Sequence, residues 1–137
     1  MIVVDTGALL ALLDTSEDNH SVIRELYEEN RGAWILPWAI LPEVDYLVAA
    51  HLGAKAQEVF LGDLADGSFS VEWGREEDLA GARRICTRYR SLRIGLVDAA
   101  VIAMAERLKA EAIATLDLRH FAAVSIKGSP RLLPRDR

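Results

Sequence analysis

The opening residues constrain the fold most sharply. Ile2-Val3-Val4 is an unbroken apolar run followed at once by Asp5, Thr6 and Gly7. A short run with no polar alternation is the pattern of a strand buried on both faces, and the acid then stands at the strand's carboxyl end. In open α/β sheets ligands gather at that edge, so Asp5 is placed for chemistry and its companions are to be sought further along the chain.

The rest of the chain alternates strand and helix patterns. Ala8 to Leu13 is a short apolar helix, and Asp18 to Asn30 a second, with Val22, Ile23, Leu26 and Tyr27 at helical spacing. Trp34-Ile35-Leu36 reads as a strand closed by Pro37. Pro42 suits the first turn of the next helix, which puts Glu43 in that turn and Val44, Leu47, Val48 and His51 along one face. Ala54 to Ala65 follows, with Ala56, Val59, Phe60 and Leu64 inward, then a strand at Phe69-Ser70-Val71. Glu76 to Tyr89 is predicted helical, burying Leu79, Ala82, Cys86 and Tyr89. The clearest helix is Val97 to Lys109, where Val97, Ala100, Val101, Met104, Ala105 and Leu108 form a continuous stripe and Asp98 falls in the first turn. Ala112 to Thr115 is a strand that Leu116-Asp117 leaves. A helical turn at Leu118 to Phe121 and a last strand near Val124 to Ile126 complete the fold, and Gly128 to Arg137, with Pro130 and Pro134, reads as a loosely attached tail.

Such alternation implies right-handed crossovers and a three-layer α/β/α unit with a mostly parallel central sheet. With 137 residues, 51% of them hydrophobic, there is material for one domain with a real core and too little for two. The domain is predicted at 1–127, with 128–137 as its C-terminal tail.

Several classes of protein are excluded or disfavoured. No uncharged apolar run reaches the roughly 18 residues of a membrane span. The N-terminal run lacks a basic leader and carries Asp5 in its middle, so it belongs to the fold rather than to a signal peptide. The lone Cys86 forms neither an internal disulfide nor a metal-binding cysteine cluster, which fits a reducing cytoplasm. A formal net charge of -5 argues against nucleic-acid binding over the whole surface but leaves room for a local basic rim, for which Arg83, Arg84, Arg88, Arg90 and Arg93 are crowded together. Asp14, Glu17, Asp18 and Glu25 do not make a calcium loop, because Asn19 occupies the place of the turn glycine and a helical pattern runs through the second half. His20, His51 and His120 show no ligand spacing, and His120 is assigned to the surface.

Four acids remain. Asp5 and Asp117 leave apolar strands, whereas Glu43 and Asp98 enter helices, and α/β layering brings strand exits and helix entrances to one edge. Each has an ordinary role available as a cap, a helix-end charge or a turn former. Together they would repel one another unless some protonate or a cation arrives. An all-oxygen acidic set suits magnesium or manganese, and a metal-activated water can attack a phosphodiester.

The run Ile2-Val3-Val4-Asp5-Thr6-Gly7-Ala8-Leu9-Leu10, Glu43 in Leu41-Pro42-Glu43-Val44, Gly95-Leu96-Val97-Asp98-Ala99-Ala100, and Ala114-Thr115-Leu116-Asp117-Leu118-Arg119-His120-Phe121 together resemble a PIN domain, and more closely the VapC-type toxins of bacterial toxin–antitoxin pairs. The resemblance covers nearly the whole chain in order. It implies that Asp5, Glu43, Asp98 and Asp117 form the family's metal-binding quartet, with Thr6 and Thr115 as supporting hydroxyls. Gly7 departs from the serine or asparagine of many relatives. The resemblance further implies a metal-dependent endoribonuclease acting on transfer or ribosomal RNA, inhibition of translation, a small cognate VapB-type antitoxin, and a homodimer formed through the early helices. Arg90, Arg93 and Arg119 are candidate contacts to RNA phosphates.

Two other readings compete. A phosphoacceptor domain has a similar architecture and finds support in Lys127, but it needs paired acids after the first strand and an acceptor aspartate at a central strand exit. A noncatalytic PIN-like binding module would be expected to have lost some of the acids.

Overall fold

The computed structural model describes all residues, Met1 to Arg137. Strand β1 (Ile2–Val4) leads into helix α1 (Thr6–Leu13), and α2 (His20–Glu29) returns the chain to β2 (Trp34–Pro37). A single 3-10 turn at Trp38–Ile40 feeds α3 (Leu41–Leu52), followed by α4 (Ala54–Ala65) and β3 (Ser70–Glu72). Then come α5 (Glu76–Arg88), a 3-10 turn at Arg90–Leu92, α6 (Leu96–Leu108), β4 (Ala112–Ala114), α7 (Leu118–Phe121) and β5 (Arg131–Leu133).

The five strands form one sheet in the order β3-β2-β1-β4-β5, and every pairing is parallel. From β1 the chain builds outward through β2 and β3, then crosses back to place β4 on the other side of β1. The change of direction falls between β1 and β4, and connections there leave in opposite senses, opening a crevice at the strands' carboxyl ends. The register pairs Val4 with Ala114, so Asp5 and Thr115 leave the sheet side by side, and the Asp5 backbone N–H donates to the Ala114 carbonyl at 2.9 Å.

The centre of the sheet is fully buried: Ile2, Val3 and Val4, like Ala112, Ile113 and Ala114, are at most 1% exposed. Helix α1 packs on α2 and α3, and α3 on α4, whereas α5 packs on α6, which in turn lies against β1 and β2. Gly81 permits the close approach of α5 to α6, since a Cβ there would lie 3.0 Å from that of Ala103. Gly53, at φ 91, lets the chain end α3 and begin α4 in a single residue, a conformation that costs glycine little.

The C-terminal segment corrects the prediction. Residues 124–126 contribute buried Val124 and Ile126 but no strand, and the fifth strand comes from Arg131–Leu133 inside the expected tail. Leu132 and Leu133 are 4% and 2% exposed, and Arg137 reaches back to Glu25 and Glu29 of α2. An edge strand flanked by Pro130 and Pro134 keeps its pairing because proline lacks a donor only where none is needed. Two expected inward side chains also point out: Leu79 is 63% exposed and Val59 53%.

One ionic network fixes the far side of α6. Arg107 donates from Nε to Asp78 Oδ1 at 2.6 Å and from Nη2 to Glu72 Oε1 at 3.0 Å, joining α6 to α5 and β3. Asp78 also accepts from the Arg75 backbone N–H at the start of α5.

Candidate active site

Each acid is carried by a local structure that its neighbours dictate. Asp5 ends β1 and caps α1, accepting from the Thr6 N–H at 2.7 Å. Glu43 stands in the first turn of α3, which Pro42 helps to start. Asp98 stands in the first turn of α6, after the extended Gly95 cap. Asp117 leaves β4 and caps α7 by accepting from the His120 N–H at 3.2 Å. The capping roles of Asp5 and Asp117 are therefore real, and they coexist with a second arrangement.

All four acids line a single open cavity of about 630 Å³ at the carboxyl edge of the sheet, together with Thr6, Gly7, Gly95, Leu96, Val97 and Leu116. A chain of hydrogen bonds ties its deep side together. Thr115 Oγ1 donates to Asp5 Oδ2 at 2.9 Å and accepts from the Asp117 N–H at 3.0 Å. Both threonines thus lie beside the acids, and the Thr115 hydroxyl links the two strand exits.

Burial and mutual repulsion act on these carboxyls. Asp5 is 4% exposed. Desolvation, then the charge of Asp98, push its pKa up to about 6, against the opposing hydrogen bonds from Thr115 and Thr6. Asp98 is raised as well, by burial first and by the charges of Asp117 and Glu43, while a hydrogen bond from His120 works the other way. Glu43 is exposed at the mouth.

His120 is a correction. The sequence assigns it to the surface, but its ring is 19% exposed and Nδ1 lies 3.2 Å from Asp98 Oδ2 and 3.1 Å from Asp117 Oδ2. The available signal is its position three residues after Asp117, which puts both on one face of a helical turn. Arg90, Arg93 and Arg119 are all exposed, lie outside the cavity lining and make no ion pair. Lys127 is elsewhere, beside Arg84 and Glu106, which removes the feature that favoured a phosphoacceptor domain.

The donor set fits a divalent cation. Asp5, Glu43, Asp98 and Asp117 supply hard oxygens, and the pKa values of Asp5 and Asp98 are raised by burial first and by the neighbouring carboxylates second, both of which a cation would offset. The Thr6 hydroxyl is buried without a hydrogen-bond partner in the wall of the same cavity. An orphaned donor of that kind is satisfied by a bound ion's water or by a ligand.

Comparison with known proteins shows the family to which this fold belongs. The PIN domain family model matches residues 2–127. The chain belongs to the PIN domain family. Within it, the chain is 35% identical over 130 residues to Ribonuclease VapC26 of Mycobacterium tuberculosis (strain ATCC 25618 / H37Rv), covering 95% of this chain and 96% of that protein. Its fold superposes on that of Mycobacterium tuberculosis VapC20, described as a Sarcin-Ricin loop cleaving toxin, with a TM-score of 0.82 at 18% identity, over 93% of this chain and 98% of that one. VapBC2 from Rickettsia felis, solved bound to a DNA fragment from their promoter, gives a TM-score of 0.70 at 17% identity, covering 96% of this chain and 97% of that one. FitAcB from Neisseria gonorrhoeae gives 0.62 at 20% identity, covering 96% of each chain.

Proposed function

We propose that the chain is a divalent-metal-dependent endoribonuclease that cuts cellular RNA, transfer or ribosomal RNA being the substrate class, and so inhibits translation as the toxin of a toxin–antitoxin pair. The observation that carries this reading is the convergence of Asp5, Glu43, Asp98 and Asp117 on one cavity at the switch point of the sheet. Its kinship with Ribonuclease VapC26 supports RNA as the polymer.

Asp5, Glu43, Asp98 and Asp117 would hold magnesium or manganese. When bound, such an ion supplies an activated water and offsets charge on the phosphorus and leaving oxygens, and the cut leaves a 5′-phosphate. The chain's own residues do the rest. Thr115 keeps the Asp5 carboxylate oriented while anchoring the Asp117 backbone. The Thr6 hydroxyl lies buried in the cavity wall without a partner. Arg90, Arg93 and Arg119, exposed and unpaired, are among the cations free to meet RNA phosphates.

The partners follow the same reading. A VapB-type antitoxin has an apolar surface available beside the acids, a cavity lined by Trp38, Trp73, Leu79, Leu96 and Met104 that shares Leu96 with the acidic one. A homodimer has exposed Tyr46 on α3 and Val59 and Leu61 on α4 with which to pair. The setting is the cytoplasm, where such RNAs are; no helix is long and apolar enough to cross a membrane.

Induced expression in cells, with and without the neighbouring reading frame, followed by mapping of RNA 5′ ends, tests this. Growth arrest with discrete new 5′ ends, relieved by the neighbour and absent in Asp5→Asn, is the expected result. Arrest with the same ends in Asp5→Asn would refute it.

A further inference from the structure

His120 has no part in the four-carboxylate set, yet its ring nitrogen faces two members of it. Nδ1 is 3.2 Å from Asp98 Oδ2 and 3.1 Å from Asp117 Oδ2, and the three donor atoms lie within 4.8 Å of one another. Adjacent ligands on a six-coordinate ion with bonds of about 2.1 Å stand about 3 Å apart, so two of these spacings already match an edge of such a shell. The same spacings suit a three-centre hydrogen bond from a protonated Nδ1 to both carboxylates, and, with Nδ1 deprotonated, a shared cation in place of the proton.

The backbone holds this arrangement without help from the ring. The His120 N–H occupies Asp117 Oδ1, which leaves Oδ2 facing Nδ1, and the Asp117 N–H is held in turn by Thr115. Thr6 lies in the wall of the neighbouring cavity, which Asp98 and Asp117 line. It is 7% exposed and its hydroxyl has no partner.

We propose that Nδ1 of His120 is a metal ligand, completing with Asp98 and Asp117 a mixed oxygen–nitrogen set that takes manganese or a later transition metal in preference to magnesium. The inference rests on the proposed metal-dependent function and sharpens it. Magnesium demands oxygen ligands and keeps its waters, whereas imidazole is a donor for the transition metals. The consequence is a nuclease whose metal selectivity is set by one residue outside its acidic quartet.

Pulsed electron paramagnetic resonance of the full-length protein loaded with Mn2+, at a pH above the ordinary histidine range, reads this directly. The wild type should show hyperfine coupling to one directly bound imidazole nitrogen. In His120→Gln, which keeps a polar side chain but no imidazole, that coupling should vanish. By calorimetric titration, affinity for Mn2+ should fall about tenfold or more while that for Mg2+ changes far less. Circular dichroism checks that the variant is folded, and the wild-type spectrum is decisive even if it is not. Bound Mn2+ without nitrogen coupling overturns the ligand assignment and leaves the four-carboxylate site standing. Coupling that persists in folded His120→Gln overturns it too. Failure of the wild type to bind Mn2+ at all would overturn the metal-dependent function together with it.

Discussion

At the scale of single residues, Asp5 shows a conflict between stability and function. Its folded pKa of about 6 lies above the ordinary value of 3.8, chiefly because it is buried and then because Asp98 is close. The folded state therefore binds the proton more tightly than the unfolded chain. The stabilisation this gives is complete below 3.8 and is lost as pH rises through about 6. Above that window the ionised carboxylate costs about 3 kcal/mol in the metal-free protein. Asp5→Asn should accordingly melt higher than the metal-free wild type at neutral pH, by several degrees, with the gap closing as pH falls toward the unfolded value. Thermal melts across pH check this, and a lower melting temperature for the variant at neutral pH would contradict it. The quartet is legible in the sequence because acids at strand exits and helix entrances follow local patterns. The contact of His120 with Asp117 follows from their spacing of three residues, but its contact with Asp98 is not legible, since it depends on where α6 brings Asp98.

Among elements, four strands are legible, including Ser70–Glu72, and the fifth, inside the proline-flanked tail, is not. Ile2–Val4 and Ala112–Ala114 are buried on both faces and look it. Arg131–Leu133 has an arginine at its start and prolines on both sides, and becomes a strand only because β4 offers it an edge. The inward face of α5 departs from the periodic pattern at Leu79 for a similar reason: the helix is set by Gly81 against α6 and by Asp78 against Arg107. That ion pair supports a prediction. Burial opposes ionisation of Asp78, but the hydrogen bond and charge of Arg107 and the Arg75 N–H outweigh it and hold its pKa below the ordinary value of 3.8. Asp78 thus contributes stability that is present above the unfolded value and lost as pH falls through the folded one. Arg107→Ala strands both acids of a largely buried network and should cost on the order of 2–4 kcal/mol at neutral pH. The gap between urea melts of wild type and variant should narrow as pH falls from the ordinary value of 3.8 through the lower folded one; a gap that does not shrink would show that packing of the Arg107 stem, not the ion pair, is what matters.

Over the whole molecule, the parallel sheet determines where chemistry can occur. Alternating patterns announce the fold class, but only the strand order β3-β2-β1-β4-β5 puts the exits of β1 and β4 side by side at the change of winding direction. The C-terminal residues belong to this architecture. Leu133, 2% exposed on β5, should lose about 2–5 kcal/mol of stability on replacement by alanine. Denaturant titration checks it, and a change within about 0.5 kcal/mol would mean the segment is as dispensable as a surface loop.

Carboxylates from separate stretches of the chain meet in one cavity, and the proposed function makes that cavity a metal-dependent site that cuts RNA. Incubation of purified protein with cellular RNA in Mn2+, with and without excess chelator, tests it most directly when Asp5→Asn and Asp98→Asn are run alongside. Discrete cleavage by the wild type, abolished by chelation and reduced at least about a hundredfold in both folded variants, is the expected result. Cleavage at the wild-type rate by either variant, or cleavage that survives thorough chelation, would contradict it.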